Sequence, residues 1–478
     1  MGRTLFTVVL HSLTICGSGL VCAQVQSAPS LPNAPLTKAF LLASSQDSLQ
    51  APTPPQAPPP GQTSPLAAAP TLLTRQQAEQ IALANNPRIH ISQLLAKVQH
   101  QVVRERRADE LPNLNGALTA VGANDGSRIS AGSLTASRLL QHAGMGVQLS
   151  QLITDFGHTQ NLVASAKLQE KASLANAEAS REDIVLAADQ VFFQTVEAQA
   201  TLRVAQETVA ARQSLTDQVS ALTAAKLKSD LDLSFVQVNL SQAKLLQLDA
   251  QNNLDAAKAA LSEVLGYDKQ TDYQLVEDNG GSLPILPSDA ESLVMTAIQN
   301  RPDLQSLRFT EQAAQKFSRA QREQLLPTIS ALGVVGATPT GSSQYFTSDW
   351  YGAVGVNMNV PIFNGFRYHA QAAEAALQSQ AASESTRALR DQVVRDVRTA
   401  WLNANTALQR VTVTGELLKQ ANLALDLAQT RYKLGLSSIV ELSQAQLQQT
   451  QAAIGNANAR SQYGFAVSDL QFQTGVRP

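Results

Sequence analysis

The chain has 478 residues, a formal net charge of -2 and only 15% charged residues. Without a basic excess it has no electrostatic support for nucleic-acid binding. Aromatic residues make up 5% of it, which suits long helices packed along narrow seams better than a globule with one bulky core.

The first residues read as an export signal. Arg3 gives a short positive start, Leu5 to Leu20 are mostly apolar, and Val21-Cys22-Ala23 offers small residues before cleavage after Ala23. The predicted signal peptide is 1–23. A second reading lipidates Cys22, although Val21 is bulkier than lipoprotein processing usually accepts. Both cysteines, Cys16 and Cys22, lie in this segment, so a chain beginning at Gln24 has no disulfide framework or thiol metal site. Beyond it, no stretch approaches the roughly 18 apolar residues of a membrane helix. A membrane role must therefore use strands. Residues 24–70 are rich in Pro, Ala, Ser and Gln, cannot bury a core, and read as a disordered tether.

From Thr74 the chain repeats itself once, giving expected repeats over 71–280 and 281–478. Thr74 to Gln77 and Ser288 to Glu291 both fit a capping box, in which a hydroxyl and a later Gln or Glu satisfy free amides reciprocally. Asn85-Asn86-Pro87 and Asn300-Arg301-Pro302 follow, where proline ends one helix and begins the next. The next helices stop at Leu111-Pro112 and Leu326-Pro327. Pro87 to Pro302 and Pro112 to Pro327 are both 215 residues apart.

The period then changes from helical to alternating. Met145, Val147 and Leu149 point one way, and Gly146, Gln148 and Ser150 the other. Val354, Val356, Met358 and Val360 alternate in the same manner with Gly355, Asn357 and Asn359. Segments 113–122 and 328–338 are weaker strands, so each repeat has one hairpin, around polar loops at 124–137 and 338–349. One apolar and one polar face suit a transmembrane barrel strand, and equally a half-buried strand of a soluble sheet. Tyr345, Phe346, Trp350 and Tyr351 stand where an interfacial aromatic belt would lie.

Leu152 to Gly157 then aligns with Pro361 to Phe366 at a spacing of 209. At the same spacing Ile184, Ala188, Val191, Thr195, Ala198, Leu202, Ala205 and Val209 match Val393, Val397, Ala400, Ala404, Ala407, Val411, Thr414 and Leu418. Steps of four and three mark a coiled-coil seam, and its small residues allow close approach. A helix over 157–225 would span about 100 Å. Helices over 87–110 and 230–265, stacked end to end, come to about 90 Å beside it. The expected fold is mainly α with a small transmembrane β part, in two repeats of helix, β-hairpin, long helix and helix. Four strands cannot close a barrel, and open edges are not tolerated in lipid. The chain must therefore oligomerise if these strands enter a membrane; two copies give about eight strands and three about twelve.

The capping boxes, Asn-x-Pro junctions, Leu-Pro ends, the Leu152 to Gly157 and Pro361 to Phe366 pair, and Arg431-Tyr432-Lys433-Leu434-Gly435 leading into Glu441-Leu442 together resemble the TolC-like outer-membrane efflux protein family. The resemblance spans 74–475. It implies a homotrimer, with a 12-stranded β-barrel in outer-membrane lipid continued by a long α-helical coiled-coil barrel in the periplasm. It further implies a periplasmic adaptor, an inner-membrane pump, and a passive exit conduit for efflux or type I secretion.

On that reading, 225–232 and 432–441 form the periplasmic entrance. Asp232, Tyr432 and Glu441 are the gate candidates, and Gly435, Leu436 and Ser437 the tip turn and adaptor docking site. Gly435 can take positive φ, whereas Lys226 aligns with it, so the first turn is expected to be made differently. Asp232 and Glu441 align at 209, giving either a ring of six carboxylates in a trimer or two helix-start residues complementing the helix dipole. Ser437 and Gln444 stand where the family pattern leads one to expect a basic and an acidic partner. The six histidines are scattered without ligand spacing. Asp155 and Asn364 read as caps, and no catalytic constellation, cofactor motif or metal site is found. The reading is thus a non-enzymatic channel. Its rivals are a lipid-anchored form and a periplasmic coiled-coil scaffold without a pore.

Overall fold

The computed structural model describes residues 71–122, 128–131, 134–138, 142–267, 273–276, 285–287, 289–337 and 350–476. The expected signal peptide with Cys22, the tether, Tyr345 and Phe346 lie outside the described residues. The first half runs β1 (Thr71–Leu73), α1 (Arg75–Asn85), α2 (Pro87–Ala108), β2 (Asn113–Val121), β3 (Arg128–Ala131), β4 (Leu134–Arg138), β5 (His142–Thr154), α3 (His158–Ala224), α4 (Asp230–Val264) and β6 (Tyr273–Leu275). The second runs α5 (Ala290–Asn300), α6 (Pro302–Glu323), β7 (Thr328–Ala337), β8 (Trp350–Asn359), α7 (Arg367–Lys433) and α8 (Ile439–Thr474). Equivalent helices match: α3 and α7 have 67 residues each, α2 and α6 have 22, and α1 and α5 have 11.

Local chemistry sets these boundaries. Thr74 caps α1 in a complete capping box with Gln77. In the second half Asp289 is the cap of α5. Asp289 accepts the amides of Glu291 and Ser292 at 3.1 Å each, a carboxylate reaching two free amides, while the expected Ser288 lies outside the described residues. Asn86 caps α2 by accepting the amide of Arg88 at 3.0 Å, directly before Pro87. Asp155 accepts the amides of Gly157 and Thr159 at 3.2 and 2.7 Å, turning the sheet into α3.

β2, β5, β7 and β8 form a four-stranded antiparallel sheet in that order. Its register places Leu114 opposite Leu149, Leu118 opposite Met145, Val147 opposite Val335, and Gly333 opposite Val354. Directly opposed residues share a face, so one face is apolar except for Gln151, which stands opposite Ala331. The other carries Asn115 opposite Gln148 and Ser330 opposite Asn357, with Leu152, Leu332, Val334 and Ala353 among its apolar members. Each strand pair predicted as a hairpin forms. The first connection is not simply irregular, as expected over 124–137: β3 and β4 pair antiparallel within it. Their runs of four and five residues are too short to show a clear period.

Toward the sheet, α3 packs between α2 and α6, and α6 packs on α7; farther away, α3 packs on α4 and α8, and α7 on α8. None of the sixteen seam residues of α3 and α7 is exposed. Between these levels, Ile184, Ala188, Phe192, Leu261 and Leu265 bury against α1 and the parallel pair β1–β6, while Val393 and Val397 bury against Val294 and Ala297 of α5. Full burial of each large side chain contributes about 1.5–3 kcal/mol.

Three carboxylates feel Arg301 at this level, Asp183 of α3, Asp303 of α6 and Asp469 of α8. Arg301 forks onto Asp303 at 3.1 and 2.6 Å and donates to Gln473 at 2.7 Å. Burial pushes the Asp469 carboxyl up, Asp396 adds to the rise, and a hydrogen bond from Gln473 and the charge of Arg301 oppose it. Burial and Asp303 raise Asp183 likewise. A carboxyl raised in the folded state disfavours folding at pH values above its folded pKa, and the penalty fades as pH falls toward the ordinary carboxylate value. Asp469→Asn, whose amide oxygen can still accept from Gln473, should therefore raise the melting temperature at pH 7. The gain should shrink on acidification; thermal melts across pH 4–8 that show a gain growing toward low pH would contradict this.

Candidate functional site

The two turns farthest from the sheet are built alike. α3 ends on Lys226, with Lys226 N–H donating to Thr223 and Leu227 N–H to Leu222 at 2.9 and 2.8 Å. α7 ends on Gly435, with Gly435 N–H donating to Tyr432 and Leu436 N–H to Arg431 at 3.0 and 2.8 Å. Each is a helix-ending pair of bonds that needs one left-handed residue. Gly435 has φ +75°, as expected. Lys226 has φ +61°, so the expectation of a different first turn is corrected: the same turn is made with a lysine in the left-handed region. The hydrogen bonds and the packed helices impose that conformation, at a cost of about 1–2 kcal/mol for a non-glycine residue.

Ser229 and Ser438 then cap α4 and α8, accepting the amides of Asp232 and Glu441 at 3.1 and 3.4 Å. Asp232 and Glu441 thus occupy the third position of their helices, where a negative charge complements the helix dipole. Glu441 also meets Arg431 at 3.4 Å. With Lys226, Lys228, Asp230 and Lys433 alongside, the tip sequence mixes both signs of charge rather than presenting an acidic surface.

Tyr432 is 7% exposed, packed with Val219, Val236, Ala428, Ile439, Leu442 and Ala445 in a cluster that gathers α3, α4, α7 and α8. Among the described residues its hydroxyl has no hydrogen-bond partner. Burial pushes the phenol up, and the Asp232 carboxylate adds to the rise. Lys228 Nζ lies 4.3 Å from the Tyr432 ring centroid, a cation–π contact of about 0.5–2 kcal/mol depending on desolvation. Lys228 is the residue aligned with Ser437, 209 positions earlier. Where the second repeat has Ser437, the first thus places a basic side chain, over the Tyr432 ring. Sequence reasoning did not single out Lys228, although the repeat alignment contained the signal. Ser437 is half-buried, its hydroxyl without a partner among the described residues, and Gln444 is exposed.

The tip also exposes apolar side chains. Leu227, Leu231, Leu434 and Leu436 are 65–70% exposed. Exposed leucines grouped at a helix-hairpin end suit protein contact better than solvent. Among the described residues no group of His, Cys, Asp or Glu is arranged to hold a metal ion. Among them, too, no helix is long and apolar enough to cross a membrane.

Comparison with known proteins gives one consistent result. The model of the family described as outer membrane efflux protein matches residues 79–267 and 293–476. The outer membrane efflux protein BepC of Brucella suis is 24% identical over 379 residues, covering 76% of this chain and 77% of BepC. The outer membrane protein TolC of Escherichia coli is 23% identical over 418 residues, covering 84% of this chain and 81% of TolC. Among solved structures, CusC superposes with a TM-score of 0.75 at 19% identity, covering 84% of this chain and 92% of CusC. The Campylobacter jejuni CmeC outer membrane channel superposes with a TM-score of 0.71 at 18% identity, covering 84% of this chain and 85% of CmeC.

Proposed function

Because the chain belongs to the outer membrane efflux protein family, we propose that three copies form the exit duct of a tripartite efflux or type I secretion system. The duct carries cargo from periplasm to exterior, and an inner-membrane pump drives it through a periplasmic adaptor. The protein does no chemistry itself.

The observation that carries the reading is the sheet. Apart from Gln151, one face is apolar along all four strands, and β2 and β8 each have one neighbour among the described residues. Unpaired edges beside an apolar face cannot rest in lipid. Pairing β8 of one copy with β2 of the next removes both edges, and three copies close about twelve strands around an opening lumen. The helices have the same open sides. On α7, Leu402, Val413, Leu417 and Leu427 are exposed; on α4, Leu231, Phe235, Val238 and Leu245 are. Spacings of three, four and their sums on both helices suit coiled-coil packing between neighbouring copies.

Tyr432, Asp232 and Glu441 act at the periplasmic entrance in this reading, and Gly435, Leu436 and Ser437 with the neighbouring leucines form the adaptor docking tip. Because Arg431 already holds Glu441, the six carboxylates of a trimer would give a weaker cation preference than a bare acidic ring. Two measurements test the proposal together. Purified full-length protein should run as three copies and give stepwise conductance in planar bilayers. A photo-crosslinker replacing Leu436 should capture a periplasmic adaptor in intact cells. A soluble, non-conducting protein that captures no envelope transport component would instead support the scaffold reading.

A further inference from the structure

The two long hairpins, α3–α4 and α7–α8, are closed internally by apolar contacts. Leu202, Ala205, Ala250 and Leu254 close the first, and Val411, Ala459, Tyr463 and Val467 the second. Above the tip cluster the hairpins meet each other through polar groups. Thr201 donates to Asn458 at 3.4 Å, Thr208 lies 3.4 Å from Thr450, and Asn239 donates to Ser443 at 2.8 Å.

Arg212 departs from this neutral pattern. It is 7% exposed, and its guanidinium donates to Oε1 of Gln446, which is equally buried. Among the described residues no carboxylate pairs with it. Burial alone lowers its pKa, with no neighbouring charge contributing. Its repeat equivalent, 209 residues on, is Ala421, which is also buried. A cation is therefore not needed to fill such a position. A guanidinium removed from water without a counter-charge destabilises whatever arrangement buries it. The burden falls between the hairpins, 12 residues before α3 ends at Ala224, or about 18 Å above the tip turn.

We propose that Arg212 biases the entrance toward opening, by making the α3–α8 contact just above the mouth intrinsically weak. It rests on the conduit reading and on the mouth widening where the two hairpins meet, a seam above the tip cluster held by the polar contacts just given. Separation lets water reach the guanidinium, so the free energy withheld from the packed state favours the open one. Gln446 satisfies one donor and keeps the packed state accessible without neutralising the charge.

Two variants of the full-length trimer test this. Gln446→Glu supplies the missing carboxylate. Arg212→Met combined with Gln446→Leu removes both polar groups and leaves neither unpaired. Both should raise the melting temperature in detergent. Both should slow hydrogen exchange of residues 439–458 by on the order of fivefold to tenfold, and both should lower bilayer conductance. Gln446→Glu placed in Arg212→Met, a buried carboxylate without its cation, should reverse all three effects. A lowered melting temperature in both test variants, or exchange and conductance equal to wild type, overturns the proposal. A wild-type protein that forms no pore overturns the conduit reading and the opening role with it. A conducting wild type with unchanged variants overturns the opening role alone.

Discussion

Gly266→Ala should destabilise the protein by about 2–5 kcal/mol, far more than one added methyl group costs at an ordinary surface position. Gly266 ends α4 with φ +76°. Its N–H donates to Glu263 at 3.0 Å, and Tyr267 N–H donates to Ser262 at 2.9 Å, so the left-handed conformation is fixed by two bonds. Any L-residue there carries a penalty of about 1–2 kcal/mol. The added Cβ would also lie 2.9 Å from the carbonyl oxygen of Asn85 and 3.0 Å from its carbonyl carbon. These are backbone atoms at the α1–α2 junction, held by Asn86 N–H on Ala82 at 3.0 Å and by the Asn86 side chain on Val264 at 3.2 Å. They cannot swing aside as a flexible side chain would, so overpacking adds about 1–3 kcal/mol.

The repeat supplies its own controls. Gly475, 209 residues on, has φ +64° and would bring a Cβ to 3.1 Å from the backbone nitrogen of Arg301. Gly475→Ala should therefore be damaging, though less so. Gly435 has the same conformation with nothing within 4 Å of an added Cβ. Gly435→Ala should show only the conformational penalty, which Lys226 already bears in the first half. Thermal or denaturant unfolding in detergent separates the three. Equal losses at Gly266 and Gly435 would show that the Asn85 contact contributes nothing.

The same glycines explain how much was legible. The repeat could be read because proline and glycine act through covalent geometry, at any distance from the core. Pro87 with Pro302 and Pro112 with Pro327 mark equivalent corners whatever packs around them, and the structure adds Gly266 with Gly475. The strands could be read because a membrane-type sheet needs strict alternation. Where a corner rests on tertiary force instead, the sequence is silent. Lys226 adopts the glycine conformation with no signature of doing so. At the sheet-to-helix corners, Phe156 and Gly157 have φ +55° and +107°, and their equivalents Gly365 and Phe366 have +64° and +61°. Two left-handed residues are needed in each corner, yet only one is glycine, and its place differs between the halves. At the entrance, Tyr432 and Glu441 were visible from the resemblance. Lys228 over Tyr432, and Arg212 against Gln446, join residues more than 200 positions apart and obey no local period.

Val354→Arg should abolish assembly in the outer membrane. Val354 lies mid-strand in β8, opposite Gly333 on the apolar face, and is 93% exposed in the single copy. In a soluble scaffold such a residue would be a solubility defect, and arginine would improve it. In a lipid-facing strand, arginine near the midplane costs about 2–4 kcal/mol per copy. In the proposed trimer this multiplies to about 6–12 kcal/mol, comparable with the whole stability of an ordinary domain. Gly355→Arg is the matched control, one residue on and therefore on the opposite, polar face. An added Cβ there meets nothing within 4 Å, and a lumen of about twelve strands has room for the side chain. The readout is the amount of heat-sensitive trimer in outer-membrane fractions. The lipid-facing assignment requires trimer to be lost with Val354→Arg and retained with Gly355→Arg. Retention of both, with Val354→Arg enriched in the soluble fraction, would mean that the apolar face meets something other than lipid. Loss with Gly355→Arg alone would mean that the two faces are assigned the wrong way round.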